Sequence, residues 1–232
     1  MKNLVILTGA GMSSESGIRT FRDSGGLWEE YKVEEVATPE AWDKDMDLVL
    51  RFYNERRRQL ATCSPNAGHT GLAALEKHFN VQIITQNIDN LHERGGSTRI
   101  LHLHGELTKV RSSIDPSYIT DIGYNDIIRG DKCPTGGQLR PHIVWFGEEV
   151  PMMDEAVRLT GMADIFVVIG SSLNVYPAAG LIRFAPAGAS LWLIDPKDVA
   201  IPGNRHVEVI KAKASDGVAV LTRRLLEESI SF

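Results

Sequence analysis

Residues able to do chemistry stand in this chain at the ends of three short apolar runs. Leu4-Val5-Ile6-Leu7 leads into Thr8-Gly9-Ala10-Gly11-Met12-Ser13, Val81 to Thr85 leads into Gln86-Asn87-Ile88-Asp89, and Ile100-Leu101-His102-Leu103 delivers His104 beside Gly105. Glycines let the backbone approach a ligand, and the unpaired amides of a helix start attract phosphate. The first cluster therefore reads as strand, tight turn and helix N-terminus, suited to the pyrophosphate of a dinucleotide. It departs from the dehydrogenase fingerprint, because Ser14 replaces the third glycine and no acidic residue follows a second strand at a distance of roughly 20 residues. In the second cluster, amides and a carboxylate are sited to contact ribose hydroxyls or a carboxamide, while helix capping by Asn87 or Asp89 fits the same residues. His104 serves either structure or catalysis at such a point, and the convergence of three strand ends favours catalysis.

Strand ends converge only if a parallel sheet carries them. Further β-type runs cover Asp164 to Ser172, Leu191 to Pro196 with Asp195 at the end, and Val207 to Ile210; His142 to Glu148 shows the same rhythm. Helical spacing follows Thr38 as a cap, runs from Asp45 to Leu60, opens again at Pro65-Asn66, and closes the chain from about Gly217 to Ser229. Strands alternating with helices predict an α/β fold, a doubly wound, Rossmann-like parallel sheet of five or six strands. Residues 1–35, 63–104 and 140–232 make that domain; residues 36–62 and 105–139, a helical segment and an insertion without βα rhythm, make a second, smaller one. The glycine-rich segment from Ser16 to Trp28 is a long ordered loop, either a lid over the glycine turn or a packed crossover. In the long helix Arg56 shares a stripe with Val49, Tyr53 and Leu60, where snorkelling of an arginine stem explains it on spacing alone.

Of 232 residues, 43% are hydrophobic and the net charge is −5, which suits a globular protein and argues against a phosphate-neutralising surface, so nucleic acid is not an expected partner. No apolar run approaches the roughly 18 residues that span a bilayer, and Cys63 and Cys133 offer no disulfide framework. A cytoplasmic protein with reduced thiols and no membrane partner is expected.

Taken together the motifs resemble those of sirtuins, the Sir2 family of NAD-dependent protein lysine deacylases, over nearly the whole chain. They are Gly9 to Ser13, Gly17-Ile18-Arg19-Thr20-Phe21-Arg22, Thr85 to Asp89, His104-Gly105, Leu139-Arg140-Pro141, Val144 to Glu148 and Gly170-Ser171-Ser172. Gly26-Leu27-Trp28, Tyr53 to Leu60, Leu91 to Arg94 and Tyr176 to Gly180 are similar to the bacterial CobB type.

The resemblance implies that Gly9, Ala10, Gly11 and Ser13 hold the pyrophosphate. Thr20 and Arg22 belong to a closing lid, and Phe21 shields the anomeric carbon. Gln86 contacts ribose, while Asn87, Ile88 and Asp89 surround nicotinamide. His104 is the general base, and Asn87 shares the catalytic role. Gly170, Ser171, Ser172, Asp195 and Ala214 bind the adenosine half, with Asp195 where the family usually has asparagine. Val144, Phe146, Gly147 and Glu148 face Asn174, Val175 and Tyr176 as the two edges that clamp an extended acyl-lysine peptide by β-augmentation. Tyr53 and Arg56 match the Tyr-x-x-Arg signature of sirtuins that accept acidic acyl groups, succinyl or malonyl, alongside acetyl. The implied products are nicotinamide, O-acyl-ADP-ribose and the freed lysine. NAD glycohydrolysis, ADP-ribosyl transfer and a silent NAD-binding module are the alternatives.

His102, read as pointing to the opposite sheet face from His104, is expected to matter less. Sirtuins usually carry four zinc-binding cysteines in the insertion; here Cys133 stands alone, Ser112 falls about where the first would be, and Asp115, Asp121 and Asp131 are scattered. Zinc is therefore not expected.

Overall fold

The computed structural model describes residues 1–19, 31–200 and 205–230. Among these, the strands are β1 (Asn3–Thr8), β2 (Asn80–Thr85), β3 (Ile100–His102), β4 (Gly105–Ser112), β5 (Ile119–Asp121), β6 (Leu139–Ile143), β7 (Ile165–Ile169), β8 (Ser190–Ile194) and β9 (Glu208–Ile210). The α-helices are α1 (Val33–Val36), α2 (Pro39–Lys44), α3 (Met46–Thr62), α4 (Ala67–Leu75), α5 (Leu91–Arg94), α6 (Met153–Thr160) and α7 (Ala214–Ile230).

β1, β2 and β7 are apolar almost throughout because both faces of the sheet are covered. Leu4, Ile6, Ile83, Val167 and Trp192 pack under α4 and α7. Val5, Leu7, Ile84, Phe166 and Leu193 pack on the other side against α6 and a 3-10 helix at Ala178–Phe184. The six parallel strands lie in the order β3-β2-β1-β7-β8-β9. The chain thus winds outward from β1, returns, and winds the other way from β7. The crevice between the ends of β1 and β7 is the switch point at which ligands of such sheets bind.

The run from His142 to Glu148 does not join this sheet, contrary to its rhythm. Leu139–Ile143 pairs antiparallel with β4, which also pairs antiparallel with β5. The cause lies at Gly105, where φ is 82° and a Cβ would lie 2.0 Å from the His142 carbonyl oxygen. A turn open only to glycine carries the chain straight from His104 into a second, three-stranded sheet.

Helices α1 to α3 pack their apolar stripes on that small sheet, burying Val49, Phe52, Tyr53 and Leu60 with Leu107, Val110, Ile143 and Trp145. Thr38 and Asp45 cap α2 and α3, accepting from Ala41 N and Leu48 N. Arg57 is fully buried, donating from Nε to the Leu107 carbonyl at 2.8 Å and from a terminal nitrogen to Asn54 Oδ1 at 2.7 Å. Asn54 in turn exchanges hydrogen bonds with both main-chain groups of Ile127. Burial lowers the Arg57 pKa to about 10 against the opposing effect of Asp126.

Candidate active site

β1 ends in backbone that touches backbone. Gly9 N donates to Ile169 O at 3.0 Å and Gly11 N to Gly170 O at 2.9 Å. Gly170 sits at φ 59°, and a Cβ there would lie 2.5 Å from Met12 N. The sequence suggested a helix N-terminus here; the structure has instead two 3-10 turns, Ala10–Met12 and Ser14–Ser16, ended by Gly17 at φ 90°. With β7 so close, the chain turns too tightly for an α-helix to start. Short turns with bare glycine backbone remain the phosphate-sized feature.

Beside them, Asn87 donates from Nδ2 to Gly9 O and Ser13 Oγ, both at 3.1 Å, and its amide donates to Thr85 Oγ1 at 3.0 Å. Gln86 Nε2 donates to Ser171 Oγ at 2.9 Å, tying the β2 end to the β7 turn. Asp89 is buried, accepts from Leu91 N at 3.1 Å and from the Ser13 hydroxyl, and burial pushes its carboxyl above the ordinary range. It stands one residue before the N-cap of α5, Asn90, and so holds the helix's first amide without being its cap.

Two buried histidines support this floor. His69 Nδ1 accepts from Asn66 N, so Nε2 carries the proton toward Ser13 Oγ; His92 Nε2 lies 3.0 Å from Thr8 Oγ1. Burial lowers the His69 pKa to about 4 from 6.5 and drives His92 well down, helped by His69 and His102. As pH falls through 6.5, the unfolded chain takes protons that the folded one refuses, so stability drops until about pH 4 and levels off for His69 below that. Scanning calorimetry should show the melting temperature falling across this window and a shallower fall in His69→Gln; a flat profile in the wild type would contradict the assignment.

His104 Nδ1 lies 3.0 Å from Gln86 O, an acceptor, so Nδ1 keeps the proton and Nε2 is left as the basic nitrogen. Burial lowers its pKa against the Gln86 hydrogen bond, which favours the neutral, proton-accepting form. Alternation does not separate His102 from His104, since residues two apart share a strand face. What separates them is that β3 ends at His102, whose two ring nitrogens meet Asn87 O and Glu93 Oε1.

One cavity of about 810 Å³ joins these ends, a volume typical of ligand sites. Gly9, Ala10, Gly11, Ser13, Gln86, Asn87, Ile88, Asp89, His104, Gly170, Ser171, Ser172, Asp195 and Ala214 line it. Tyr53, Arg56, Val144, Phe146, Gly147, Glu148, Asn174, Val175 and Tyr176 line it too. Thr20, Phe21 and Arg22 lie outside the described residues. Trp145, part of the segment matched to the peptide clamp, lines it as well; Phe52, Gln59, Lys197 and Lys213 also reach the cavity, and sequence reasoning assigned them no role, although the matching motif around Gln59 could have pointed there.

Its far wall is cross-linked by a network of side chains. The Glu148 carboxylate accepts from Trp145 N, Arg111 and Arg140, while the Arg140 guanidinium lies 3.4 Å from the centre of the Trp145 ring. Burial alone would raise the Glu148 pKa, but these partners more than offset it and lower it. Its side chain is thus spent on the fold, and main chain is what the segment can offer a peptide. Trp145 Nε1 donates to Tyr53 Oη at 3.0 Å, and burial raises the Tyr53 pKa, so the phenol keeps its proton to donate. Arg56, one turn on along α3, lies with its guanidinium 4.7 Å from the Phe52 ring centre.

In the insertion, Ser112 and Cys133 do meet. The Cys133 thiol donates to Ser112 Oγ at 3.2 Å and lies 3.1 Å from Thr135 Oγ1; those hydroxyls lower its pKa to about 7. Asp115, Asp121 and Asp131 accept from main-chain amides of their own turns. One thiol with two hydroxyls does not fit a structural zinc ion. Purified protein is expected to contain no stoichiometric zinc and to keep its melting temperature and activity in a chelator; one tightly held zinc per chain by elemental analysis, lost together with activity, would overturn this.

The profile of the Sir2 family matches residues 9–177. An NAD-dependent protein deacylase of Bacteroides thetaiotaomicron is 58% identical over 97% of this chain and 99% of its own. One of Helicobacter pylori is 52% identical over 98% and 97%. Among solved structures, a Sir2 homologue–NAD complex superposes with a TM-score of 0.88 at 37% identity, covering 98% of this chain and 90% of that one. A mutant Sir2 homologue bound to ADP-ribose gives 0.90 at 36% identity, covering 100% and 94%.

Proposed function

The chain belongs to the Sir2 family and is an NAD-dependent protein deacylase, and on that premise we propose that it prefers lysines carrying acidic acyl groups, succinyl or malonyl, with acetyl a poorer substrate. One observation carries the preference: Tyr53 and Arg56 stand together on the cavity wall, a phenol and a guanidinium where the far end of an acyl chain would lie. Apolar surface from Phe52 and Trp145 makes a carboxylate there depend on these two groups.

NAD fits the site, since two glycine turns approach without side chains beside uncharged amide and hydroxyl donors. When bound, NAD supplies a ribose carbon from which nicotinamide departs. Asn87 and Asp89 hold the nicotinamide end, and the Gly9 to Ser13 turn holds the phosphates. Gln86 holds ribose, and Ser171, Ser172 and Asp195 hold the adenosine half. His104 Nε2 takes a proton from a ribose hydroxyl. Main chain of Val144 to Glu148 and Asn174 to Tyr176 receives the acyl-lysine peptide by β-augmentation. The same reading divides the chain into the parallel-sheet domain and a smaller one of residues 36–62 and 105–139, to which the pairing of β6 with β4 adds the chain through Ile143. It also places the protein in the cytoplasm, which its separate free thiols support. Among the described residues no helix is long and apolar enough to cross a membrane.

The test is nicotinamide release with NAD and matched succinyl-, malonyl- and acetyl-lysine peptides. Higher kcat/KM on the acidic acyl peptides supports the preference. Equal or higher kcat/KM on acetyl removes it, and release that needs no peptide would replace deacylation by glycohydrolysis.

A further inference from the structure

His102 has no part in the roles above, yet it touches Asn87. Its side chain is 8% exposed, with Nδ1 3.1 Å from the Asn87 carbonyl oxygen and Nε2 2.8 Å from Glu93 Oε1. Both neighbours are acceptors, since a peptide carbonyl and a carboxylate have no hydrogen to give. The ring satisfies them only by carrying both protons, as an imidazolium.

Its surroundings favour that charge. Glu93 on α5 and Glu106 on β4 bring carboxylates to the ring, with atoms of all three within 4.8 Å of one another. Lys109, also on β4, pairs with Glu106 at 2.6 Å. Among the described residues, Asp89 before α5 and neutral His92 within it are the other titratable groups that face the ring. Burial pulls the His102 pKa down, but Glu93 and Glu106 more than offset it, and the net shift is upward.

The consequence runs through two successive peptides. The Gln86 carbonyl is held by His104 and the Asn87 carbonyl by His102, while the Asn87 side chain reaches Gly9 O and Ser13. We propose that His102 is a positioning residue for deacylation: as an imidazolium braced by Glu93, it holds the Asn87 peptide so that Asn87 and His104 keep their places at the reacting ribose. This rests on the assignment of Asn87 and His104 to that site. When His102 loses a proton, the one it keeps stays on Nε2 with the Glu93 carboxylate, the stronger acceptor, so Nδ1 faces the Asn87 carbonyl as an acceptor and the Asn87 peptide is released. Activity therefore needs His104 deprotonated and His102 protonated, which gives kcat an acid limb from the first and an alkaline limb from the second.

The experiment follows nicotinamide release with NAD and an acyl-lysine peptide from acid to strongly alkaline pH, in wild type, His102→Ala, Glu93→Gln and Asn87→Ala. Wild type should be bell-shaped. Glu93→Gln should move the alkaline limb to lower pH by about one unit, as expected when a carboxylate stops stabilising the proton. His102→Ala should lower kcat by about tenfold, change KM for NAD much less, and lack the alkaline limb. An alkaline limb unmoved in Glu93→Gln, or wild-type kcat in His102→Ala, overturns the proposal. If His102→Ala fails to fold, the isosteric Glu93→Gln decides alone. Full activity in Asn87→Ala would instead sink the underlying site assignment, whatever the histidine variants do.

Discussion

His104→Ala should lower turnover by roughly 10²–10⁴-fold, the range a positioned general base contributes, while NAD binding by calorimetry stays close to wild type. The geometry accounts for the split. The ring reaches the cavity from a strand end and spends Nδ1 on the Gln86 carbonyl, so its removal deletes the basic Nε2 and leaves the glycine turns untouched. The sign with pH follows as well. Because burial lowers the His104 pKa, the base stays neutral to below the ordinary histidine range, and the wild-type acid limb should lie there. Comparable turnover in the variant would remove the catalytic assignment; equal loss of NAD affinity would make His104 a binding residue.

Arg56→Met should cut desuccinylation by about 10- to 150-fold and change deacetylation less than about threefold. One charge-assisted hydrogen bond contributes about 1.5–3 kcal/mol, and each 1.4 kcal/mol is tenfold in kcat/KM. On the proposed placement of the acyl chain, an acetyl group ends short of the guanidinium and has nothing to lose. Methionine keeps an apolar chain of similar length while removing the guanidinium that lies 4.7 Å from the Phe52 ring centre. Tyr53→Phe is the less clean test of the partner, because deleting the hydroxyl also leaves the buried Trp145 Nε1 without its acceptor. Equal losses of Arg56→Met on acetyl and succinyl peptides would make Arg56 a structural residue and end the specificity argument.

Much of this was legible in the sequence. Strands buried on both faces read as continuous apolar runs, so β1, β2, β7 and β8 stand out. Each ends where glycine, amide or aspartate breaks the run, which places the chemistry at the strand ends. Local capping is equally readable: Thr38, Asp45 and Asn66 accept from amides two or three residues on, within reach of any short window.

Other features were settled by contacts that no window contains. Periodicity gave His142 to Glu148 a strand's pattern, of which only His142 and Ile143 fall in β6, and it named no sheet, because pattern specifies a face and not a neighbour; the turn at Gly105 chose the antiparallel partner. Arg56 and Arg57 are adjacent on one helix, yet one lines the cavity and the other is sealed inside. The difference comes from the Leu107 carbonyl, 50 residues away, and from Asn54, itself fixed by Ile127 at a separation of 73. His102 reads as an ordinary strand residue until Asn87 and Glu93 meet its ring, and Cys133 as a solitary thiol until Ser112, 21 residues earlier, lies against it. Spacing along the chain determines which side of an element a residue occupies; the protonation of a buried ring and the burial of a charge depend on which distant donors and acceptors the fold brings to that side.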